Sequence, residues 1–202
     1  MLLAFDTSTA ACTAALFDNS GACLGRRDEL IGRGHAERLV PMISDLLGGR
    51  TADSILVGVG PGSFTGIRVA IAAAHGLAIG WDAALSGMSS LALLAAGVDQ
   101  EGEFAVTVAG GHGELFVQPF AATHSATAEV ANLSPADAAA SIRQHLVVGS
   151  GARHLIEARG WGEARDALPS ASDALNIPEP LRTLPPKPLY GRAPDARVPR
   201  AA

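Results

Sequence analysis

The sequence predicts an α/β fold with a mixed sheet, arranged as two lobes, and three observations predict it. Three consecutive strand-like segments precede the first helix, after which helical and strand-like segments alternate. A glycine-rich turn joins a fully apolar strand to a long apolar helix near residue 60. Near Glu101 the pattern restarts, marking a second, smaller lobe.

The elements follow in order. Leu2–Asp6 is a short apolar run, and residues 12–17 and 22–27 flank the turn signal Asp18-Asn19-Ser20-Gly21. Gly32 and Gly34 then break the chain before a helix with Leu39, Val40, Ile43, Leu46 and Leu47 at helical spacing, ended by Gly48-Gly49. Pro41 inside it removes one backbone hydrogen bond and bends it. Residues 54–59 form a continuous apolar strand of the kind covered on both faces. Residues 67–79 are apolar nearly all round, interrupted by Arg68 and His75, so this helix is either buried or shared with a second chain. A brief strand at 84–86 precedes a helix through Leu91, Leu93 and Leu94 that Ser89 can cap.

In the second part, residues 104–108 and 115–120 read as a hairpin around Ala109-Gly110-Gly111-His112-Gly113-Glu114. Ser134-Pro135 is a cap followed by a proline at the first helical position. Leu146–Val148 is a strand, and Gly149-Ser150-Gly151 leads into another short helix. The expected division is a first lobe over 1–100, a smaller lobe over 101–177 and a proline-rich extended tail over 178–202. No internal repeat is visible in the sequence.

Composition bounds the function. The chain has 202 residues, of which 48% are hydrophobic, enough to bury a core. A formal charge of -5 argues against a dedicated nucleic-acid binder, which needs Lys and Arg to displace counterions from phosphates, so RNA is expected only through a partner. The start MLLAFDTSTAAC has no basic leader and no long apolar run, which reads as cytoplasmic, with no membrane association. If Asp18 and Gly21 flank a two-residue turn, Cys23 pairs near Leu16 rather than near Cys12. A disulfide is therefore not expected, and two cysteines cannot make a zinc site.

Two segments are candidates for chemistry. In the loop Gly60, Pro61, Gly62, Ser63, Phe64, Thr65, Gly66, the glycines permit unusual backbone angles, and Ser63 or Thr65 can satisfy amides at the following helix start. Such a start attracts anions, so the loop is either a phosphate or carboxylate cradle or a tight structural turn; it matches neither common nucleotide-binding glycine pattern. Asp6-Thr7-Ser8-Thr9 places an acid at the end of the first strand, a position that more often serves a turn than catalysis. The histidines at 35, 75, 112, 124, 145 and 154 show no ligand-like spacing. No serine or cysteine stands in a nucleophile elbow.

The order of elements resembles one half of the actin, sugar-kinase and heat-shock ATPase superfamily, the actin-like, ribonuclease H-like (ASKHA-type) fold. More specifically, AFDTSTAACTAALFD from Ala4, HAERLVPMI from His35, VGVGPGSFTGIRVAIAAAHGLA from Val57, GMSSLALLA from Gly87 and PLYGRAPDA from Pro188 occur in that order. Together they resemble the TsaB (YeaZ) family, a partner subunit in bacterial synthesis of threonylcarbamoyladenosine on tRNA. The match is dense to about residue 97 and sparse beyond it, apart from the tail.

That family is similar to the TsaD transferases, once labelled glycoproteases. The resemblance implies that their two metal-binding histidines correspond here to Ser89 and Leu93, which leaves no metal site. The superfamily's metal-holding acid corresponds to Asp6, here a vestigial position, and the second lobe offers no acid where the metal would be held. The hairpin keeps Gly113-Glu114 but carries Ala109, Gly111 and His112 where charged residues are usual.

The resulting expectation is a non-catalytic scaffold that needs no cofactor. The resemblance implies a TsaD-like transferase and a TsaE-like ATPase as partners. The residues themselves point to Leu39, Ile43, Ile67, Ala70, Ala73, Ala74 and Leu77 as the contact surface, with a homodimer when the chain is alone. The alternative is a small ATP-dependent hydrolase using Asp6, or a metalloprotease-like enzyme of the same superfamily.

Overall fold

A computed structural model describes residues 1–190. Its first half opens with β1 (Leu2–Asp6), β2 (Ala11–Phe17) and β3 (Cys23–Leu30), followed by α1 (His35–Leu47), β4 (Ser54–Gly58), α2 (Phe64–Trp81), β5 (Ala84–Met88) and α3 (Ser90–Ala96). The second half contains β6 (Phe104–Ala109), β7 (Leu115–Phe120), β8 (Ala131–Leu133), α4 (Pro135–Ser141), β9 (Leu146–Val148), α5 (Ala152–Arg159) and β10 (Glu163–Arg165). A 3-10 turn, Ala171–Asn176, and the short α6 (Glu179–Arg182) close the described chain.

The first sheet runs β3-β2-β1-β4-β5, and the second, read from its other end, runs β8-β7-β6-β9-β10. In both, the first three strands pair antiparallel and the last two join in parallel. The chain therefore repeats one topology twice although no sequence repeat announces it. A sheet needs only alternating apolar residues and suitable turns to repeat its path, and many different side chains meet that requirement.

Strand alternation divides the core into layers. On β1, Leu3 and Phe5 face α1 and α2, while Ala4 faces inward. On β6, Phe104, Val106 and Val108 face the same inner layer, and Ala105 turns toward α4 and α5. The inner layer is filled by α3, whose seven residues are all buried, and by the 3-10 turn. The layer order is thus outer helices, sheet, α3 with the 3-10 turn, sheet, outer helices.

Several sequence expectations are refined. The helix predicted over 67–79 begins at Phe64 and ends at Trp81, because Ser63 caps it by accepting a hydrogen bond from the Gly66 amide at 3.2 Å. Cys23 pairs with Phe17 rather than Leu16, since an irregularity between Leu16 and Phe17 shifts the register. Cys12 is buried and Cys23 exposed, and both are free thiols. Pro41 does lie inside α1, on its exposed side.

The tail is not simply extended over the surface. Its described part contains α6 and then straps the open edge of β5, with backbone hydrogen bonds exchanged between Gly87 and Leu184 and one from Leu189 to the Val59 carbonyl. Such a strap satisfies edge groups that would otherwise be open to another chain. Residues 191–202 of the predicted tail, and with them most of the PLYGRAPDA segment, lie outside the described residues.

By length and composition α2 is apolar enough to cross a membrane, but it packs on β4, β5 and β1. Gly66, Ile67, Ala70, Ile71 and Ala74 are buried, Val69, Ala73, Leu77, Ala78 and Trp81 pack half-buried against the core, and the rest of the helix is exposed.

Candidate functional site

Asp6 ends β1 in a fully buried position. Its Oδ1 accepts from the Ser8 amide at 2.8 Å and from Ser8 Oγ at 2.7 Å. Its Oδ2 accepts from Ser8 Oγ at 2.9 Å and from the Ser90 hydroxyl. Ser90 also accepts from the Gly60 amide at 3.1 Å, and its own amide donates to the Gly60 carbonyl at 2.9 Å. One serine thus ties the end of β1, the glycine loop and the start of α3 together.

The glycine loop is held against the same turn from the other side. Thr7 Oγ1 donates to the Gly66 carbonyl at 2.7 Å, and the Ser63 amide donates to the Ser8 carbonyl at 2.6 Å. A Cβ at Gly62 would run into the Ser8 carbonyl, and one at Gly66 into that of Thr7, so glycine is required here by close approach of two backbones. The loop GPGSFTG, with a cis Gly60-Pro61 bond, is packed onto Asp6-Thr7-Ser8 with no room between them for a phosphate.

The fold family implies a metal-bound nucleotide held by acids between the lobes, and the residues present do not fit it. An ionised carboxylate offers about four lone-pair sites. Three donor hydrogens, from the Ser8 amide, the Ser8 hydroxyl shared between both oxygens and the Ser90 hydroxyl, already converge on Asp6. The corresponding end of β6 is Ala109, which offers no carboxylate. Among the described residues no group of three His, Cys, Asp or Glu side chains is placed to hold a metal ion.

The other candidate positions are structural. Ser89 caps α3 by accepting from the Ala92 amide at 3.3 Å, and Leu93 is fully buried, so neither faces a ligand. His35 Nε2 lies 3.2 Å from the Ala11 carbonyl, and His124 Nε2 lies 2.9 Å from that of Val98. Burial, with the Glu29 charge adding to it, pushes the Cys12 thiol up to about 11, which leaves it without a thiolate at neutral pH.

An open cleft of about 1040 Å³ separates the glycine loop from the β6–β7 hairpin. At its mouth Arg68 lies 3.6 Å over the Phe64 ring and donates to Tyr190 Oη at 3.1 Å, with the two rings 5.5 Å apart. Glu114 accepts from Asn132 at 2.8 Å, so the acid of Gly113-Glu114 is engaged in bracing the hairpin.

The expected contact surface requires correction. Leu39, Ile43, Ile67, Ala70 and Ala74 are buried against the first sheet. The apolar spacing used to select them identifies the core-facing side of an amphipathic helix, and for that reason it cannot identify a free one. Ala73 and Leu77 are partly exposed. The outward side instead presents Val40 and Pro41 on α1 and Ala72, His75, Gly76, Ile79 and Gly80 on α2, with Ile79 83% exposed.

Sequence reasoning also missed Ser90 and Tyr190. Ser90 could have been suspected as the second hydroxyl of GMSSLALLA, since Ser89 alone suffices for the cap. Nothing local signals that Tyr190 meets Phe64, because 126 positions separate Phe64 from Tyr190.

The comparisons agree with this geometry. The family profile described as "TsaD: tRNA N6-adenosine threonylcarbamoyltransferase" matches residues 27–159. The tRNA threonylcarbamoyladenosine biosynthesis protein TsaB of Escherichia coli (strain K12) is 42% identical over 101 residues, covering 48% of this chain and 43% of that protein. The match thus spans less than half the length of that curated relative. A solved Pseudomonas aeruginosa protein, described as uncharacterized with similarity to peptidase YEAZ, superposes with a TM-score of 0.77 at 31% identity, covering 95% of this chain and 99% of its own. YeaZ from Pseudomonas aeruginosa gives a TM-score of 0.74 at 32% identity, over 87% and 89% of the two chains. Shared fold and 31–32% identity over nearly the full length place the chain in the TsaB (YeaZ) family of the TsaD-like superfamily.

Proposed function

We propose that the chain is a non-catalytic partner subunit in the synthesis of threonylcarbamoyladenosine on tRNA. It docks on a TsaD-like transferase through the outward side of α1 and α2, and a TsaE-like ATPase joins the assembly. Residues 1–100 form the docking lobe, 101–177 the smaller lobe and 178–202 a tail; the setting is cytoplasmic.

The observation that carries this reading is the exposed side of α2. An 18-residue helix that is apolar nearly all round is buried on one side only, leaving Ala72, Gly76, Ile79 and Gly80 at the surface around a single polar residue, His75. Small residues there let a second helix approach closely, and an exposed apolar face of this kind marks a protein contact. When the transferase is absent the same face pairs with a second copy.

The non-catalytic part of the reading is supported by the engaged Asp6 carboxylate and by Ala109 at the matching position of the second sheet. A metal-dependent hydrolase or protease would need a ligand set, and among the described residues no group of three His, Cys, Asp or Glu side chains is placed to hold an ion.

Ile79→Glu tests the docking surface, because the side chain is exposed and the substitution leaves the core intact. Co-purification with the transferase from cells expressing both, and the sedimentation behaviour of the chain alone, are the readouts. The expected result is loss of most of the complex with an unchanged melting temperature. Undiminished complex formation by both Ile79→Glu and Ala72→Glu would sink this assignment.

A further inference from the structure

In the second lobe Arg159, at the end of α5, donates to the carbonyls on either side of Arg143 and stacks on Trp161, with His145 beside that ring. Trp161 is 44% exposed, in a chain with only two tryptophans. The Arg159 guanidinium lies 3.6 Å from the centre of its ring, and the His145 ring is 6.5 Å away.

Arg159 is locked rather than free to swing. Its Nε donates to the Trp161 carbonyl at 3.2 Å, Nη1 to Ile142 at 2.9 Å and Nη2 to Gln144 at 3.0 Å. Gly162 leaves the space this requires, since a Cβ there would run into Arg159 Nη2. The guanidinium is held below its usual range, by burial first and by the charge of Arg143 second.

Two like charges near one another cost free energy unless something neutralises them. Here every hydrogen bond of Arg159 goes to a neutral carbonyl, and Arg143 is exposed with no hydrogen-bond or ion-pair partner among the described residues. Of the acids on the adjoining strand ends, Glu163 pairs with Arg165 at 3.2 Å and Glu103 accepts from Gln144 at 3.2 Å. Among the described residues the two arginines thus have no acidic partner, and Trp161, with Arg159 against one face, is left 44% exposed beside them.

We propose that Trp161, Arg143 and Arg159 form a stacking platform for an unpaired nucleotide of RNA, with the base on the indole and its phosphate at the arginines. A planar ring joined to a negative charge is the ligand that matches this pairing of aromatic and cationic groups. A paired base cannot reach the ring, so single-stranded loops are taken in preference to duplex. With a formal charge of -5 on the whole chain, the contact is local and salt-sensitive, and it supplements delivery of tRNA by the partner. The inference rests on the RNA-modification reading but not on the α2 docking surface.

Fluorescence anisotropy of a labelled RNA hairpin with an unpaired loop, titrated with the full chain at low salt, tests it. A fully paired RNA of the same length is the comparison. The hairpin is expected to bind in preference. Trp161→Ala weakens it by roughly tenfold, whereas Trp161→Phe retains most of the affinity. Arg143→Ala, at an exposed position whose side chain makes no hydrogen bond or ion pair among the described residues, weakens it several-fold and lowers the salt slope by about 0.7. Absence of hairpin binding, equal binding of duplex, or affinity unchanged in both Trp161→Ala and Arg143→Ala would overturn the proposal. So would loss of transferase co-purification by these variants with RNA binding intact, which would make the patch a protein contact. Because Ile79→Glu is read by partner association and these variants by RNA affinity, failure of one leaves the other standing.

Discussion

β1 ends on Asp6, and its topological counterpart β6 ends on Ala109. The two sheets have the same strand order, yet around Asp6 the first carries a buried polar staple that draws in Ser8, Ser90 and the glycine loop, while the end of β6 offers no carboxylate and is met by Ser150 Oγ accepting from the Ala109 amide and by the Gly151 amide donating to the Thr107 carbonyl, both at 3.1 Å. The outer helices differ in the same direction. α1 and α2 have 13 and 18 residues, against 7 and 8 for α4 and α5. Topology is thus compatible with very different local investment: the first lobe supplies a rigid turn and a long helix with a free apolar side, and the second supplies a small brace.

The strongest way to break this contrast is to ask whether α2 really has two unlike faces. Ala74 is fully buried against the sheet, so Ala74→Glu leaves an unpaired charge in the core and is expected to cost on the order of 3–5 kcal/mol. Ala72→Glu, on the exposed side, should stay within about 0.5 kcal/mol. Urea denaturation of both variants reads the difference, and equal costs would mean that the helix is not seated as described.

The staple itself gives the next largest effect. Ser90→Ala strips one donor from a buried carboxylate and leaves the Gly60 amide unpaired, for an expected cost of about 2 kcal/mol. The corresponding change in the second lobe, Ser150→Ala, frees one amide at an exposed position and should cost under about 1 kcal/mol. Chemical denaturation compared between the two would sharpen the contrast, or erase it if the second lobe proved the more sensitive.

The smallest expected effect lies in the 3-10 turn between the sheets. Burial, and then the charge of Asp28, hold the Asp173 carboxyl above its ordinary range, with Arg26 and His124 acting in the opposite sense. An acid raised in the folded state contributes stability that is present below its unfolded pKa and lost as pH rises through its folded one. Asp173→Asn should therefore raise the melting temperature slightly at neutral pH, and that advantage should vanish as pH falls below the usual carboxylate range. Melting curves across that window decide it; a destabilised variant at pH 7 would show that the ionised acid is paired favourably instead.

Much of the fold was legible in the sequence, since periodicity reports directly which side of an element is apolar. Leu2–Asp6 and Leu115–Phe120 match the observed strands, and Ser134 and Ser89 cap the helices expected of them. The α2 boundary was less legible, because Phe64, Thr65 and Gly66 read as loop until the Ser63 cap is seen. The contact surface was legible only in reverse. Leu39, Ile43, Ile67, Ala70 and Ala74 have the spacing of a buried stripe and are buried, while Ile79 ends the same apolar run and is exposed.

By itself the sequence determined the two restarting strand and helix patterns, the position of the glycine loop, the absence of paired histidines at 89 and 93, and the ordered motifs that carry the family resemblance. These are local properties, written in spacing and residue type. Only the tertiary structure decided that the second half repeats the topology of the first, and that Ser90 caps Asp6 from 84 residues away. It also decided that the glycines of the loop admit the backbone of Thr7 and Ser8, and that Arg159 is locked beneath Trp161 beside an unpaired Arg143. Each of these depends on groups distant in the chain meeting at hydrogen-bond or van der Waals range, and such meetings leave no trace in local spacing.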